Sequence, residues 1–237
     1  MLANSESNTK GMDAIIKQHL SHPDILIYAI KDAAENKQWT NVKKFAEVGL
    51  EQKFAKKINE VLYHYLLEAA VQTKIREDII KYAELLFFVQ YDSQYLDIIL
   101  NQLKKKEGTV YLESLIDRLE DSPFHTMKKD AIAEIYFKLN AFEDLINYIK
   151  KIKSLDLLQK STPKLIENHM PALKKVYVEL IKDYLSFHLG PIPRQKVRVT
   201  LLNLRKLGAH KLLHYVSDKL VKEFPERRNL HEELEIL

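Results

Sequence analysis

Ile25-Leu-Ile-Tyr-Ala-Ile-Lys-Asp-Ala-Ala-Glu35, Asn36-Lys-Gln38 and Trp39-Thr-Asn-Val-Lys-Lys-Phe-Ala-Glu-Val-Gly-Leu50 together decide the fold. Two amphipathic segments flank a three-residue polar turn. Their apolar residues recur at spacings of three and four, which places them on one face of a helix. So short a turn folds the second helix back beside the first. The form returns at Ala131–Leu139 and Phe142–Ile152, joined by Asn140-Ala141. One such pair cannot bury its apolar face alone, so pairs of this size stack on one another.

The same periodicity runs along most of the chain. Ile58, Val61, Leu62, Tyr65, Leu66 and Ala69 form one stripe. Leu173, Val176, Tyr177, Leu180, Ile181, Tyr184 and Leu185 form another. Strict alternation, the mark of a half-buried strand, is absent over any useful length. Ser21-His-Pro-Asp24 reads as a helix start with proline in the first turn. Ser122-Pro123, His169-Met-Pro171 and Gly190-Pro-Ile-Pro193 read as breaks and restarts. Asn229 followed by Glu232 reads as a capping pair opening a short last helix, which would cover the final apolar face after Pro225. The fold class expected is all-α: a right-handed α-solenoid of stacked antiparallel helix pairs, tetratricopeptide-like, with degenerate repeats. The alternative is an irregular helical bundle. Residues 1–11 are expected to be a flexible polar tail. Residues 12–237 are expected to be one helical-repeat domain, with a sub-boundary near 160–170 and a basic part over 171–237.

Composition narrows the function. With 237 residues, 46% of them hydrophobic, the chain can bury a sizeable core. Five glycines rule out most phosphate-cradling loops and nucleophile elbows. The absence of Cys excludes disulfides, thiolate metal sites and a thiol nucleophile, and it fits a reducing, cytoplasmic compartment. No run of 18 apolar residues exists, so no membrane span is expected, and the first ten residues lack signal-peptide order. The net charge of +4 is unevenly placed. Between Pro171 and Lys222 there are 11 Lys and Arg against 3 Asp and Glu. A basic last third of this kind suits an anionic partner or the acidic face of another protein.

Three stretches carry a family resemblance. Ala33-Ala-Glu-Asn-Lys-Gln-Trp through Ala46-Glu-Val-Gly-Leu50 resembles a tetratricopeptide-type hairpin, and Leu86-Phe-Phe88 with Tyr91, Asp92 and Tyr95 resembles the segment that follows it in such proteins. The C-terminal stretch has Tyr177-Val-Glu-Leu-Ile-Lys-Asp-Tyr184, Lys196-Val through Leu204-Arg-Lys-Leu-Gly208, Phe224-Pro-Glu-Arg-Arg228 and Leu230-His-Glu-Glu-Leu234. It is similar to the C-terminal helical region of bacterial SWIM zinc-finger family proteins. The SWIM finger needs a cluster of Cys and His, which this chain lacks. The resemblance therefore implies the helical scaffold without zinc or finger-mediated nucleic-acid binding, and it transfers no catalytic residue.

Candidate sites follow from residue type and spacing. Arg194, Arg198 and Arg205 share one helical stripe, with Lys196, Lys206 and Lys211 adding charge nearby; such a set suits phosphate or nucleic acid. A solvated, ion-paired face is the plainer reading. His210, His214 and Asp218 lie at i, i+4 and i+8, a spacing that suits three metal ligands but equally an exposed His–Asp face. Tyr63, Tyr91 and Tyr95, in a cluster with Tyr65, Phe87 and Phe88, are candidate anchors for a protein partner, or else core. Trp39 reads as packing at a helix start. Glu113, Asp117, Glu120 and Asp121 read as a solvated face rather than an acid–base set. No cofactor, metal or catalytic residue is assigned, and no oligomeric state. The expected function is a non-catalytic scaffold or adaptor for protein–protein interaction. The alternative is a nucleic-acid-associated module. An enzyme would need a deep pocket gathering polar side chains from several helices, a set the sequence does not display.

Overall fold

The computed structural model describes residues 21–123 and 127–235. The expected tail over 1–11 lies outside them. Among the described residues the chain is helical throughout, without a strand. In chain order the helices are α1 (Pro23–Glu35), α2 (Trp39–Glu51), α3 (Lys56–Thr73), α4 (Arg76–Gln90), α5 (Gln94–Leu100), α6 (Lys105–Asp121) and α7 (Lys128–Leu139). They continue with α8 (Phe142–Lys151), α9 (Leu155–Leu165), α10 (Met170–Phe187), α11 (Pro191–Lys206), α12 (His210–Glu223) and α13 (Arg228–Glu235). Proline opens α1, α10 and α11, where its fixed φ helps and its missing N–H costs nothing. Asn229 is not a cap: α13 begins at Arg228, so Asn229 lies within its first turn. No described helix is long and apolar enough to cross a membrane.

Among the described residues the chain divides into two compact units, within 21–115 and within 116–235, with the division inside α6. In the first unit, α1 to α5 pack each on the next, and α1 also meets α3. Leu26 and Ile30 of α1, Val42 and Ala46 of α2, Leu62 and Leu66 of α3, and Leu86 and Phe87 of α4 are completely or almost completely buried. Gly49 of α2 lets three helices close: a Cβ there would fall on the Leu26 side chain and lie 2.8 Å from Leu62 Cδ1.

In the second unit the helices pack in two interleaved rows. α7, α9, α11 and α13 touch in that order, as do α8, α10 and α12, and most successive helices also touch. The turn at residues 166–169 lies within this unit. α13 packs on α11 and α12 and buries Leu230 and Leu234.

Ion pairs mark the same rule in both units, joining a helix to the second one along. Lys43 of α2 pairs with Asp78 of α4, and Arg76 of α4 meets Glu107 of α6 at 2.8 Å. Lys160 and Lys164 of α9 reach Asp130 and Glu134 of α7 at 2.8 and 3.1 Å. Lys150 of α8 reaches Glu179 of α10 at 2.8 Å, and Lys182 of α10 pairs with Glu223 of α12. Most of these pairs are exposed and weak, while Asp78 is the better covered end of the Lys43 pair. Their common separation, from about thirty to about forty residues, is the period of the packing, and it falls where helical-pair repeats fall.

The tight turns use a left-handed residue where glycine is usual. Lys37, Lys74, Asn140 and Lys153 have φ between 51° and 57°, and Gly208 has φ 69°. At each, the next N–H reaches five residues back: Gln38 to Ala33 O, Ile75 to Ala70 O, Ala141 to Tyr136 O, Ser154 to Ile149 O and Ala209 to Leu204 O. This Schellman closure satisfies the last carbonyls of one helix. That same donor residue is already the N-cap of the next helix, so the reversal is as short as a helix pair allows. A lysine held left-handed is strained by roughly 1–2 kcal/mol, while glycine gives back part of this in unfolded-chain entropy. Lys74→Gly is therefore expected to stabilise the chain by about 0.5–1 kcal/mol, read as a higher denaturation midpoint. An unchanged or lower midpoint refutes the strain.

One buried polar contact ties α9 to α10. Thr162 Oγ1 donates to Leu158 O at 2.7 Å, so its single proton is spent, and the Tyr177 hydroxyl at 2.7 Å must donate to Thr162. Both residues are fully buried. Thr162→Val strands a buried phenol and is expected to cost about 1–3 kcal/mol, whereas Tyr177→Phe costs about 0.5–1.5 kcal/mol. The double variant should cost less than the sum, because no group is then orphaned. Strict additivity in a double-mutant cycle contradicts the pairing.

Burial pushes the Tyr177 phenol up to about 12. The neutral form is thus favoured in the folded chain. Its contribution is complete below the unfolded value near 10 and is lost as pH rises through about 12. Stability should fall across that alkaline window, and Tyr177→Phe should flatten the fall. An equally steep decline in the variant contradicts the assignment.

Candidate binding surface on the second unit

The residues singled out in the sequence are scattered by the fold. Arg194, Arg198 and Arg205 do share a stripe of α11, along one edge of its buried face of Val197, Leu201 and Leu204. Arg194 is half-buried and lies 3.6 Å from Glu233 of α13. Arg198, Arg205 and Lys206 are exposed. Lys196 leaves this group: it lies on the other edge of α11, 3.8 Å from Asp156 and with its ammonium 5.3 Å from the Tyr184 ring centre. His210, His214 and Asp218 are exposed on α12, and no cluster of His, Asp and Glu suited to a metal ion occurs among the described residues. Glu113, Asp117, Glu120 and Asp121 are exposed on α6, with Glu120 held by Lys151 at 3.0 Å.

The candidate tyrosines also differ. Tyr63 is half-buried on α3. Tyr91 is half-buried in the left-handed turn after α4, edge-on to Phe87 at 6.2 Å. Tyr95 is not a surface anchor. It is 3% exposed, and its hydroxyl donates to Gln90 Oε1 at 2.9 Å. Its position on the inward stripe of α5, with Leu96 and Ile99, is what puts it there. Trp39 opens α2, partly covered.

The sequence did not reveal a cavity of about 470 Å³ at the amino end of α9. Lys128 and Lys129 enter it from the first turn of α7, Tyr148 from α8, Lys153 from the α8–α9 turn, Tyr184 from α10 and Lys196 from α11. Ile152 and Leu155 complete an apolar wall, and Asp156 is the one lining carboxylate. Ser154 caps α9, its hydroxyl accepting from Leu157 N–H at 3.2 Å. Lys128 donates to Glu120 O and Ser122 O at 2.9 and 2.8 Å, holding the carbonyl end of α6. Lys153 pairs with Asp183 at 2.7 Å. Lys129 lies 3.5 Å from Ser154 Oγ and has no carboxylate partner among the described residues. Tyr148 is buried, and burial, reinforced by Glu120, Tyr136 and Asp130, pushes its phenol up to about 12. Tyr184 stacks on His188 at 4.5 Å.

Beside the cavity, the α10–α11 turn carries large apolar side chains into solvent. Phe187, Leu189 and Ile192 are 76%, 78% and 76% exposed. The Lys153 ammonium lies 5.9 Å from the Phe187 ring centre, linking turn and cavity. Gly190, at φ 100°, allows the chain to reverse here. Arg227 anchors the base of the turn by donating to Leu185 O at 2.9 Å. A second hollow of about 350 Å³ lies against the turn, lined by Leu189, Arg194, Arg227 and Arg228 among others. The result is an apolar knuckle on a basic rim.

The fold and this surface define an all-helical protein whose neighbouring helices pack in sequence order. No family model matches the chain, and a comparison with curated proteins found no match.

Proposed function

We propose that the chain is a non-catalytic helical-repeat adaptor that binds a protein partner through the α10–α11 turn. The observation that carries this reading is the exposure of Phe187, Leu189 and Ile192 together on one short turn within a basic rim. Clustered apolar side chains at this exposure mark contact surfaces rather than ordinary surface scatter. A partner with apolar side chains inside an acidic border fits it. The interleaved rows and the thirty-to-forty-residue period of the ion pairs support a right-handed, tetratricopeptide-like α-solenoid as the scaffold. The resemblance to the helical region of bacterial SWIM zinc-finger family proteins is part of this proposal, as is a cytoplasmic location. The cavity's charged groups are mostly cations, a set that suits holding an anion better than moving a proton.

Affinity capture at physiological salt, with nuclease, tests the reading. A specific protein should be retained by the wild type and lost with Phe187→Ser/Leu189→Ser/Ile192→Ser, while the helical circular dichroism is unchanged. Equal retention by the variant defeats it. A nucleic-acid-associated module is the second reading, favoured by the exposed Arg198, Arg205 and Lys206 on α11. It requires nuclease to abolish retention, a steep fall of affinity with salt, and loss of binding in Arg198→Glu/Arg205→Glu.

A further inference from the structure

We propose that the cavity at the amino end of α9 binds a phosphate monoester carried on a flat apolar ring. Four lysines line a volume of about 470 Å³, against one lining carboxylate. Their commitments differ. Lys128 uses two donors on the carbonyl end of α6, leaving one for a ligand. Lys153 is paired with Asp183. Lys196 is 3.8 Å from Asp156, too far for a direct hydrogen bond, so its donors can turn to a ligand. Lys129 is the telling residue. It is half-buried, close only to the Ser154 hydroxyl, and without a carboxylate partner among the described residues. A partly desolvated cation of this kind is stabilised by an incoming anion. The phosphoryl group would sit between Lys129 and Lys196, where Ser154 can add a hydroxyl. Lysine binds phosphate as a mobile point charge and does not demand the planar geometry of an arginine fork.

The walls specify the rest of the ligand. Tyr148, Tyr184, Ile152 and Leu155 give an apolar lining that an inorganic anion would leave uncovered. A ring-bearing body covers it, and the volume lies within the range of small-ligand sites. The site lies beside partner docking at Phe187–Ile192, but its phosphate contacts, Lys129 and Lys196, are not part of that turn, so either can fail while the other stands.

The test is a calorimetric titration of the full chain with phenyl phosphate, alongside benzyl alcohol and inorganic phosphate. Saturable binding of phenyl phosphate, tighter than either control, is expected. Lys129→Met, which keeps the aliphatic stem, should weaken it by about tenfold or more, as should Lys196→Met. Lys211→Met, on the exposed face of α12, should leave it unchanged. Circular dichroism checks the fold of each variant, and Lys196→Met, on an exposed position of α11, supplies the same comparison should Lys129→Met unfold. Adenosine monophosphate and O-phosphotyrosine then distinguish a nucleotide from a phosphorylated side chain as the source. Absence of saturable binding overturns the proposal. So does equal affinity for inorganic and phenyl phosphate, or equal loss in Lys211→Met.

Discussion

Phe87→Ala is expected to destabilise the first unit by about 3–5 kcal/mol. Phe87 is completely buried on α4, and its ring meets Phe88 at 5.8 Å and Tyr91 at 6.2 Å, both edge-on. Truncation removes the apolar transfer energy, leaves a void that rigid neighbours cannot fill, and breaks both aromatic contacts. Tyr91 loses its ring contact but keeps its turn bond, because Phe87 O, which accepts from Tyr91 N–H, survives the truncation. The chain's single tryptophan, Trp39, opens α2 in this same unit. Its fluorescence during denaturant unfolding therefore reads the predicted loss directly. A shift worth less than about 1 kcal/mol contradicts the placement of Phe87 at the centre of the unit.

Leu201→Ala should cost about 2–5 kcal/mol in the second unit. Leu201 is completely buried on α11, and α11 packs against α9, α10, α12 and α13. The helix also presents Lys196 to the cavity and follows directly from the apolar turn. The variant is therefore expected to lose stability and to weaken both the partner and phosphate-ester readouts. Far-ultraviolet circular dichroism follows the first effect, and calorimetry the second. A variant unfolding at the wild-type midpoint contradicts the packing described for α11.

The helices were legible because their signals are local. Pro23, Met170-Pro171 and Gly190-Pro191 stand where helices begin, and the apolar stripe of α10 and the Leu62, Leu66 and Ala69 part of the α3 stripe lie inward as the three-and-four spacing places them, while Val61 of α3 faces out. The turn chemistry was less visible. Lys37, Lys74 and Lys153 hold left-handed positions that a reader expects glycine to mark, and no sequence rule singles out those lysines. Asn229 shows the opposite error: a good capping residue lies one position inside the helix, because α13 starts at Arg228.

The candidate site was less legible than the fold, for a physical reason. Helical spacing sorts residues on one element and says nothing of what the next element contributes. It placed Arg194, Arg198 and Arg205 together correctly, but by the same rule Lys196 points elsewhere, toward Asp156. Tyr95 belongs to an apolar stripe whose inward side was not fixed until α5 was seen against its neighbours. The cavity lies still further from sequence logic. Lys128 and Lys196 are separated by four helices of chain and line one cavity only because α7, α9 and α11 form one row. The clue that was available was Phe187, Leu189 and Ile192 around Gly190-Pro191, apolar residues crowded into a break.

The most direct test of the binding surface places a photo-crosslinking side chain at Ile192, with the same group at Tyr28, which is 56% exposed on α1, as reference. After irradiation in native lysate, a discrete protein adduct is predicted from position 192 and not from position 28. Equal labelling from both positions, or a position-192 adduct consisting only of nucleic acid, contradicts the account.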